Sequence, residues 1–229
     1  TGINCNLKFQ NLILQYFSII FVNKKILLAI LFGIGIVSAI VFFSGNVSED
    51  QSTPEVNFIY SNVDSMQKIL IDKNIVMSSP TVITDNTIGQ YCTFFDNDGV
   101  QRFVQYCVTT ALVDSDGEPL GNLNMGGNPI SPSMALAILE VSPDLGSKRD
   151  QIDFVFQTMI ENLVCDCWDE QKPGGFESVS SWLDAAEAKY LESSQNTLKS
   201  KMSGLAQKQL ILEITSTDES YLWTLIVLK

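Results

Sequence analysis

SKRDQIDFVFQTMIENLV, residues 147–164, is the stretch of the sequence that decides the fold. Its apolar side chains recur at the spacing of one helical face, and polar or charged residues fill the positions between them. Ser147, with Asp150 three residues later, resembles a capping box. The pattern predicts a long amphipathic helix, and its apolar face consists of Ile152, Val155, Phe156, Met159, Ile160 and Leu163.

The chain on either side of this helix favours strands and one further helix. Runs of aromatic and β-branched residues at 91–96 and 100–113 flank Asn97-Asp98-Gly99, which is a hairpin-turn signal. A second amphipathic helix is predicted over about residues 180–206. Two such helices on one face of a mostly antiparallel sheet make a two-layer α+β fold. The remaining predicted strands are residues 75–77, 81–84, 134–141, 210–215 and 221–228.

Residues 26–43 (ILLAILFGIGIVSAIVFF) form an uncharged apolar run. A helix of that length spans about 27 Å, close to the roughly 30 Å hydrocarbon core of a bilayer. Lys24 and Lys25 precede the run and Glu49 and Asp50 follow it, so the positive-inside rule places the C-terminal domain outside the cytoplasm. We therefore predict a single-pass signal anchor in the cell membrane. The alternative is a cleaved signal peptide, which would leave the domain secreted.

This interpretation divides the chain into four segments. Residues 1–25 form an N-terminal cytoplasmic segment, of which residues 1–22 are expected to precede the true start of the mature protein. The transmembrane anchor takes residues 26–44 and the juxtamembrane linker residues 45–64. Residues 65–229 then form the extracytoplasmic α+β domain. The layout resembles that of single-pass exported proteins with a short cytoplasmic tail and a small outer domain.

Composition excludes several classes of function. Residues 46–229 hold all 26 acidic residues against 11 basic ones, a net charge of −15 for that part. Such an acidic domain repels phosphate backbones, so no nucleic-acid partner is expected. The chain contains no histidine. This excludes Ser-His-Asp and Cys-His catalysis, and it excludes histidine-ligated metals or haem within the chain.

Four cysteines fall in the predicted outer domain: Cys92, Cys107, Cys165 and Cys167. An even count in an oxidising compartment predicts two disulfides and allows three connectivities. With Asp98-Gly99 as a two-residue turn, Cys92 opposes a residue two positions before Cys107, so a Cys92–Cys107 bridge fits only diagonally. If the long helix ends near residue 164, bridges from Cys165 and Cys167 to the hairpin would join helix and sheet.

Two other interpretations compete at Cys165-Asp166-Cys167-Trp168. One is a soft-metal site for copper or zinc, because thiolates are the ligands that these ions prefer. The other is a thiol–disulfide exchange motif. Redox motifs more often have two intervening residues at the start of a helix, whereas here one residue separates the cysteines near a helix end.

An Asp-x-Asp-Gly pattern occurs at residues 96–99 and again at residues 114–117. Calcium loops use alternating carboxylates of this kind, so Asp114 and Asp116 are candidate metal ligands. Neither stretch supplies the later bidentate glutamate of an EF-hand, and Asp-Gly is also a strong hairpin-turn signal. The pattern therefore favours turns over calcium sites.

These observations favour a non-enzymatic accessory or binding domain, anchored through residues 26–44, that works with a protein partner in or near the same membrane. No cofactor is expected and no catalytic residue is assigned. The alternative is a soft-metal-binding or thiol-redox protein that uses Cys165 and Cys167. A carboxylate-dependent hydrolase is a third hypothesis, because 26 acidic residues provide many pairs.

Overall fold

An antiparallel sheet forms the body of the domain in the computed structural model, which describes residues 58–95, 100–142 and 144–229. The seven strands of its main path lie in the order β1-β5-β6-β7-β10-β9-β8, with β2 also paired to β5, and β3 and β4 form a separate ribbon. Every strand pair among the described residues is antiparallel. The strands are β1 (Val76–Met77), β2 (Thr81–Ile83), β3 (Phe94–Phe95), β4 (Gln101–Arg102), β5 (Tyr106–Val113), β6 (Pro119–Gly127), β7 (Pro132–Val141), β8 (Thr197–Leu205), β9 (Lys208–Ser216) and β10 (Tyr221–Leu228).

Two long helices lie between β7 and β8 in the chain. They are α3 (Arg149–Leu163) and α5 (Val179–Glu192), and the short α4 (Trp168–Gln171) lies between them. Earlier in the chain come α1 (Asn62–Leu70) and the one-turn α2 (Ile88–Tyr91). Helix α3 confirms the helix predicted from the apolar periodicity, and all six residues of its predicted apolar face are buried.

The sheet has an inner face that packs on α1, α3 and α5 and an outer face that carries the one-turn α2. In β7 the odd-numbered Ala135, Ala137 and Leu139 belong to the main core, which also contains the buried faces of α1, α3 and α5. The even-numbered Met134 and Leu136 belong to a second cluster, completed by Ile211 and Ile226. This alternation is the two-residue period of a strand. Together, the antiparallel strand pairs and the helices confirm the predicted mostly antiparallel sheet with helices.

The predicted second helix is wrong in its C-terminal half. Helix α5 ends at Glu192, and Ser193 at its C-cap has extended backbone angles. The chain then enters strand β8, in which Leu198 pairs with Ile214 and Met202 with Leu210 of β9. Leu198 and Met202 are four residues apart, a spacing that fits one face of a helix and one face of a strand equally well. The chain forms a strand here because the edge of β9 supplies backbone hydrogen-bond partners.

The predicted hairpin around Asn97-Asp98-Gly99 differs in register and in length. Phe94 pairs with Arg102 and Phe95 with Gln101. Five residues therefore separate the paired positions, where a two-residue turn was expected, and the turn itself lies outside the described residues. The long predicted strand over residues 100–113 is also interrupted, since β4 ends at Arg102 and β5 begins at Tyr106.

The capping box predicted for α3 does not form. Its N-cap is Lys148, which has φ 56° and makes no side-chain cap hydrogen bond. A reciprocal capping box is found instead at the start of α5, where Ser178 and Ser181 exchange side-chain and backbone hydrogen bonds. Asp150 remains in the first turn of α3, where its charge suits the helix dipole.

The predicted anchor at residues 26–44 lies outside the described residues. Within the described ranges, none of the helices combines the length and the hydropathy that crossing a bilayer requires. The described chain begins at Phe58, which is buried at 1 % exposure, and α1 begins four residues later at Asn62. Phe58 belongs to the main core, and α1 is the first helix of the described fold. The folded domain therefore begins ahead of the predicted start at residue 65.

Gly121 in β6 occupies a position that admits no side chain. Its φ is +150°, and a Cβ there would overlap the carbonyl oxygen of Ile138 and lie 2.9 Å from the Cα of Leu139. We expect Gly121→Ala to lower the free energy of unfolding by about 3 kcal/mol, at the upper end of overpacking costs, because backbone atoms of a central strand must move. Urea unfolding of the full chain in detergent micelles, followed by tryptophan fluorescence, measures this.

Gly117→Ala is the matched control for this substitution. Gly117 also has a positive φ, +83°, but nothing lies within 4 Å of its Cβ position. The control should cost about 1 kcal/mol, the price of the left-handed backbone alone. Equal losses in the two variants would contradict the steric argument.

Candidate functional site

Four of the chain's five cysteines lie in the described residues and form two pairs at disulfide distance, and the pairs differ in exposure. Cys92 and Cys107, the buried cysteine pair, have Cα atoms 5.9 Å apart and side chains at 0 % exposure. Cys165 and Cys167, the accessible cysteine pair, have Cα atoms 5.2 Å apart and are half-buried. Both Cα separations are compatible with a disulfide bond. The structure thus selects one of the three connectivities that the sequence allows.

The buried cysteine pair lies on the outer face of the sheet, where the end of α2 meets β5. Cys92 lies at the C-cap of α2, not on a hairpin arm as predicted, and Cys107 lies in β5 opposite Gly126 of β6. A Cβ on Gly126 would come within 3.0 Å of the Cβ of Cys92, so the glycine makes room for the pair. Nearby, the side-chain amide of Asn124 donates to the carbonyl oxygen of Tyr91 at 2.8 Å.

The accessible cysteine pair is produced by the way α3 ends. The backbone N–H groups of Val164 and Cys165 both donate to the carbonyl oxygen of Ile160, at 2.9 and 3.1 Å. This wide turn stops the helix and folds residues 165–167 back on themselves. The expected bridges from these cysteines to the hairpin are therefore wrong. Cys165 and Cys167 face each other across Asp166, and neither joins the hairpin.

The two pairs would contribute very differently to stability as disulfides. In the chain-entropy model, a bridge across about 15 residues stabilises the folded state by about 3 kcal/mol, whereas one across three residues contributes about 1.5 kcal/mol. The buried pair spans 15 residues of sequence and the accessible pair two. A structural role therefore accounts well for Cys92 and Cys107, and poorly for Cys165 and Cys167.

A cavity of about 280 Å³ opens beside the accessible cysteine pair. Its apolar wall includes Ile160, Val179 and Trp168, and the indole N–H of Trp168 donates to the carbonyl oxygen of Phe176 at 3.1 Å. Its charged lining is entirely acidic: no Lys or Arg is among the described residues that line it. The acidic lining residues are Glu161, Asp166, Asp169 and Glu170.

The other metal candidates lie in a different part of the molecule. Asp114 and Asp116 belong to the turn between β5 and β6, and Asp114 contacts Lys148 at the N-terminal end of α3. The cysteines follow the C-terminal end of that helix, about 22 Å away for 15 residues at 1.5 Å each. The structure does not bring the two candidate sets together. Among the described residues, no group of three or more His, Cys, Asp or Glu is placed to hold a metal ion.

The carboxylate of Asp114 already accepts hydrogen bonds from groups of the protein itself. One carboxylate oxygen accepts the N–H groups of Asp116 and Glu118 at 3.0 and 2.9 Å, and the other accepts Lys148 Nζ at 2.6 Å. The hydrogen bond from Lys148, followed by those from the backbone, outweighs burial and lowers the pKa of Asp114. The Asp-x-Asp-Gly pattern at residues 114–117 is thus a hairpin turn, locked to α3 by an ion pair.

The lowered pKa of Asp114 gives the domain an acid-sensitive contact. A carboxyl whose pKa is lower in the folded state stabilises the fold above its unfolded pKa, and the contribution is lost as the pH falls through the folded value. We expect Asp114→Asn to lower the urea midpoint at pH 7. The difference from wild type should shrink as the pH falls below about 4, where this carboxyl takes up a proton first in the unfolded chain, and further as the pH approaches the lower folded-state pKa.

The matched control is Asp116→Asn, which neutralises an exposed carboxyl in the same turn. Urea midpoints of the three proteins at pH 7, 5 and 3 make the comparison. A difference between Asp114→Asn and wild type that stays constant down to pH 3 would show that the charge of Asp114 is not what stabilises the turn.

One end of the sheet, where the described chain begins, carries two strongly exposed apolar side chains. We call this the chain-entry end, and it comprises Phe58, Tyr60, Phe103, Ile130 and Lys229. Lys229 Nζ lies 5.5 Å from the ring of Phe58 and donates to Ser131 in the β6–β7 turn at 2.8 Å. Ile130 is 90 % exposed in the same turn, and Phe103, just before β5, is 86 % exposed.

The chain-entry end is held rigidly by hydrogen bonds. Asn128 Oδ1 accepts the N–H groups of Ile130 and Ser131 at 2.8 and 2.9 Å, which fixes the turn with Ile130 pointing outward. The hydroxyl of Tyr60 donates to the carbonyl oxygen of Asn128 at 2.8 Å. Burial, and to a smaller degree the neighbouring Tyr106, raise the pKa of Tyr60 to about 12, so this donor stays protonated at neutral pH.

Sequence reasoning missed the chain-entry end and the partner of Asp114. Phe103 and Ile130 are single apolar residues in irregular segments, and a lone apolar residue carries no periodic signal. In the sequence, Lys148 is one residue of the stretch that predicts a helix over residues 147–164. Its left-handed backbone and its contact with Asp114, 34 residues earlier, become visible only once the elements are packed.

Comparison of the chain with protein-family models, with curated proteins and with solved structures finds no match. The site is therefore interpreted from its own geometry.

Proposed function

We propose that this chain is a membrane-anchored, extracytoplasmic accessory domain that works beside a protein partner in or near the same membrane. The observation that carries the proposal is the chain-entry end, where Ile130 and Phe103 are 90 % and 86 % exposed. Among the described residues these are the most exposed large apolar side chains.

Chain continuity links this end to the predicted anchor. Phe58 lies within the predicted linker and is the first described residue, so an anchor at residues 26–44 would connect to the domain through residues 45–57 at the chain-entry end. The 13 intervening residues span at most about 45 Å when extended, which lets the domain rest on the bilayer or stand away from it. Exposed Phe and Ile at the proximal end favour contact, because apolar side chains partition into the boundary between headgroups and acyl chains.

The buried cysteine pair supports the extracytoplasmic side. Disulfides form and persist in oxidising compartments outside the cytoplasm. Cys92 and Cys107 are sealed at 0 % exposure, with their Cα atoms at disulfide distance. We propose that they are bonded, and that the bond fixes the end of α2 on the outer face of the sheet.

Acid–base catalysis receives no support from the carboxyl groups. Where the pKa of a described carboxyl departs from its ordinary value, at Asp85 and Asp114, it is lowered. A general acid that works near neutral pH requires the opposite shift. An accessory role therefore fits these groups better than a carboxylate-dependent hydrolase does.

A fluorescence experiment on the full chain in lipid vesicles tests the proposal. Phe103→Trp and Ile130→Trp place a reporter at the chain-entry end, while Trp168, Trp182 and Trp223 are buried. In vesicles with brominated acyl chains, we expect emission from either new tryptophan to shift to shorter wavelength and to be quenched. Retention of the chain in the membrane after an alkaline wash tests the anchor separately.

Leu191→Trp is the matched control. Leu191 is 67 % exposed next to Tyr190, whose ring contacts Tyr221 at the opposite end of the sheet. Its reporter should show no quenching. Equal quenching at both ends would contradict the proposed orientation, and release of the wild-type chain by the alkaline wash would contradict the anchor itself.

A further inference from the structure

We propose that the accessible cysteine pair is a redox-active disulfide that oxidises a dithiol in a positively charged polypeptide. This goes beyond the accessory function, because it gives the domain a covalent chemistry, and it does not depend on the anchor. The observation behind it is the position of Cys165 and Cys167 on the wall of an acidic cavity.

The first argument is access. Thiol–disulfide exchange requires a thiolate to approach one sulfur along the S–S axis, so a sealed disulfide is inert and an open one is reactive. Cys165 and Cys167 are half-buried and line a cavity of about 280 Å³. Cys92 and Cys107 are at 0 % exposure. The same chain therefore holds an internal control for reactivity.

The second argument is the limited structural value of the accessible pair. The two cysteines are separated by two positions in sequence. A bridge over so short a loop removes little freedom from the unfolded chain. The neighbouring structure is fixed by other contacts, since Trp168 is 6 % exposed and packs on Trp182 with ring centroids 5.9 Å apart.

The third argument is charge, which identifies the class of substrate. Glu161, Asp166, Asp169 and Glu170 line the cavity, and no described lining residue is basic. A cavity of one sign raises the local concentration of oppositely charged ligands and repels like charges. A polypeptide segment with lysine or arginine beside its cysteines fits this cavity, and its own cations lower the pKa of the attacking thiol.

The reaction balances without a further reagent. A substrate thiolate attacks one Sγ of the Cys165–Cys167 disulfide, forming a mixed disulfide while the other cysteine leaves as a thiolate and takes up a proton. The second substrate thiol loses its proton and attacks the mixed disulfide. The substrate leaves as a disulfide, and two electrons and two protons remain on Cys165 and Cys167.

The experiment uses the oxidised full chain in detergent micelles and two synthetic dithiol peptides. Both peptides carry two cysteines separated by two alanines, and they are flanked by lysines in one and by glutamates in the other. Free thiols on the protein are alkylated at intervals and located by mass spectrometry. We expect label at Cys165 and Cys167 but not at Cys92 and Cys107, about 10-fold faster with the lysine peptide at low salt.

Three comparisons make the result decisive. The preference for the lysine peptide should approach unity at 1 M salt, where the Debye length is about 3 Å. Glu161→Gln combined with Asp169→Asn should reduce the preference at low salt. Cys167→Ser, which cannot hold the Cys165–Cys167 disulfide that serves as the oxidant, should leave the thiols of both peptides reduced.

Two outcomes would overturn the proposal. One is reduction of the accessible pair no faster than that of the buried pair, with no preference between peptides. The other is tight stoichiometric binding of Cu(I) or Zn²⁺ by the reduced protein together with failure to exchange with either peptide, which would assign the pair to soft-metal binding. The wild-type measurement stands alone if a variant fails to fold.

Discussion

Replacing Trp223 by alanine is expected to lower the free energy of unfolding by about 3–5 kcal/mol, the usual cost of removing a buried aromatic side chain from a core. Trp223 in β10 is at 0 % exposure, on the inner face of a central strand. Its indole N–H approaches the carbonyl oxygen of Leu145 at 3.4 Å, and the guanidinium of Arg149 lies 5.1 Å from the centre of its ring.

The effect should be large because Trp223 supports a wider set of contacts. Arg149 is held over the ring while it pairs with Asp184 at 2.7 Å and with Glu187 at 3.2 Å, both on α5, and with Asp153 on α3. Without the ring of Trp223, the Arg149 guanidinium, which links the two long helices, loses its cation–π contact. The substitution therefore leaves a cavity and also loosens the packing of α3 on α5.

Urea unfolding of the full chain in micelles, followed by far-ultraviolet circular dichroism, measures the loss. Leu191→Ala removes a side chain that is 67 % exposed and should change stability by less than about 0.5 kcal/mol. A loss below about 1 kcal/mol for Trp223→Ala would mean that this part of the core is not packed as described.

The double substitution Cys92→Ala/Cys107→Ala is expected to destabilise the domain by about 3 kcal/mol, because it removes the loop-closing bond and leaves the unfolded chain more freedom. The pair spans 15 residues and both side chains are at 0 % exposure, so the lost sulfur contacts add to the entropic effect. The end of α2 should loosen first.

The matched control is Cys165→Ala/Cys167→Ala, which removes a bridge across only two sequence positions. It should cost about 1.5 kcal/mol or less. Denaturation midpoints of wild type and both double variants, each with and without reductant, give the comparison. A reductant that lowers the wild-type midpoint to that of Cys92→Ala/Cys107→Ala would support a structural disulfide there. Equal effects of the two double substitutions would contradict the division into a structural and a reactive pair.

The accessory function and the exchange chemistry concern different parts of the molecule. The chain-entry end carries Phe103 and Ile130, whereas the accessible cysteine pair follows α3. Each can fail without the other: the vesicle experiment reads the orientation of the domain, and the peptide experiment reads the reactivity of two sulfur atoms. Together they would describe an anchored domain that offers a disulfide to a cationic partner.

Local patterns in the sequence were sufficient where one period dominated. Six apolar residues on one face predicted α3, and largely apolar runs predicted β7 and β10 within a few residues. The absence of histidine is a matter of composition, and it excludes histidine-dependent catalysis and histidine-ligated metals within these 229 residues whatever the fold.

Tertiary structure decided the matters that depend on distant partners. Residues 197–205 became a strand because the edge of β9 offered hydrogen bonds, although Leu198 and Met202 fit a helix equally well. Cys165 and Cys167 came together because α3 ends in a wide turn onto the carbonyl of Ile160, which no spacing rule reports. Periodicity fixes which face of an element is apolar, whereas pairing and exposure depend on what the rest of the chain places against that face.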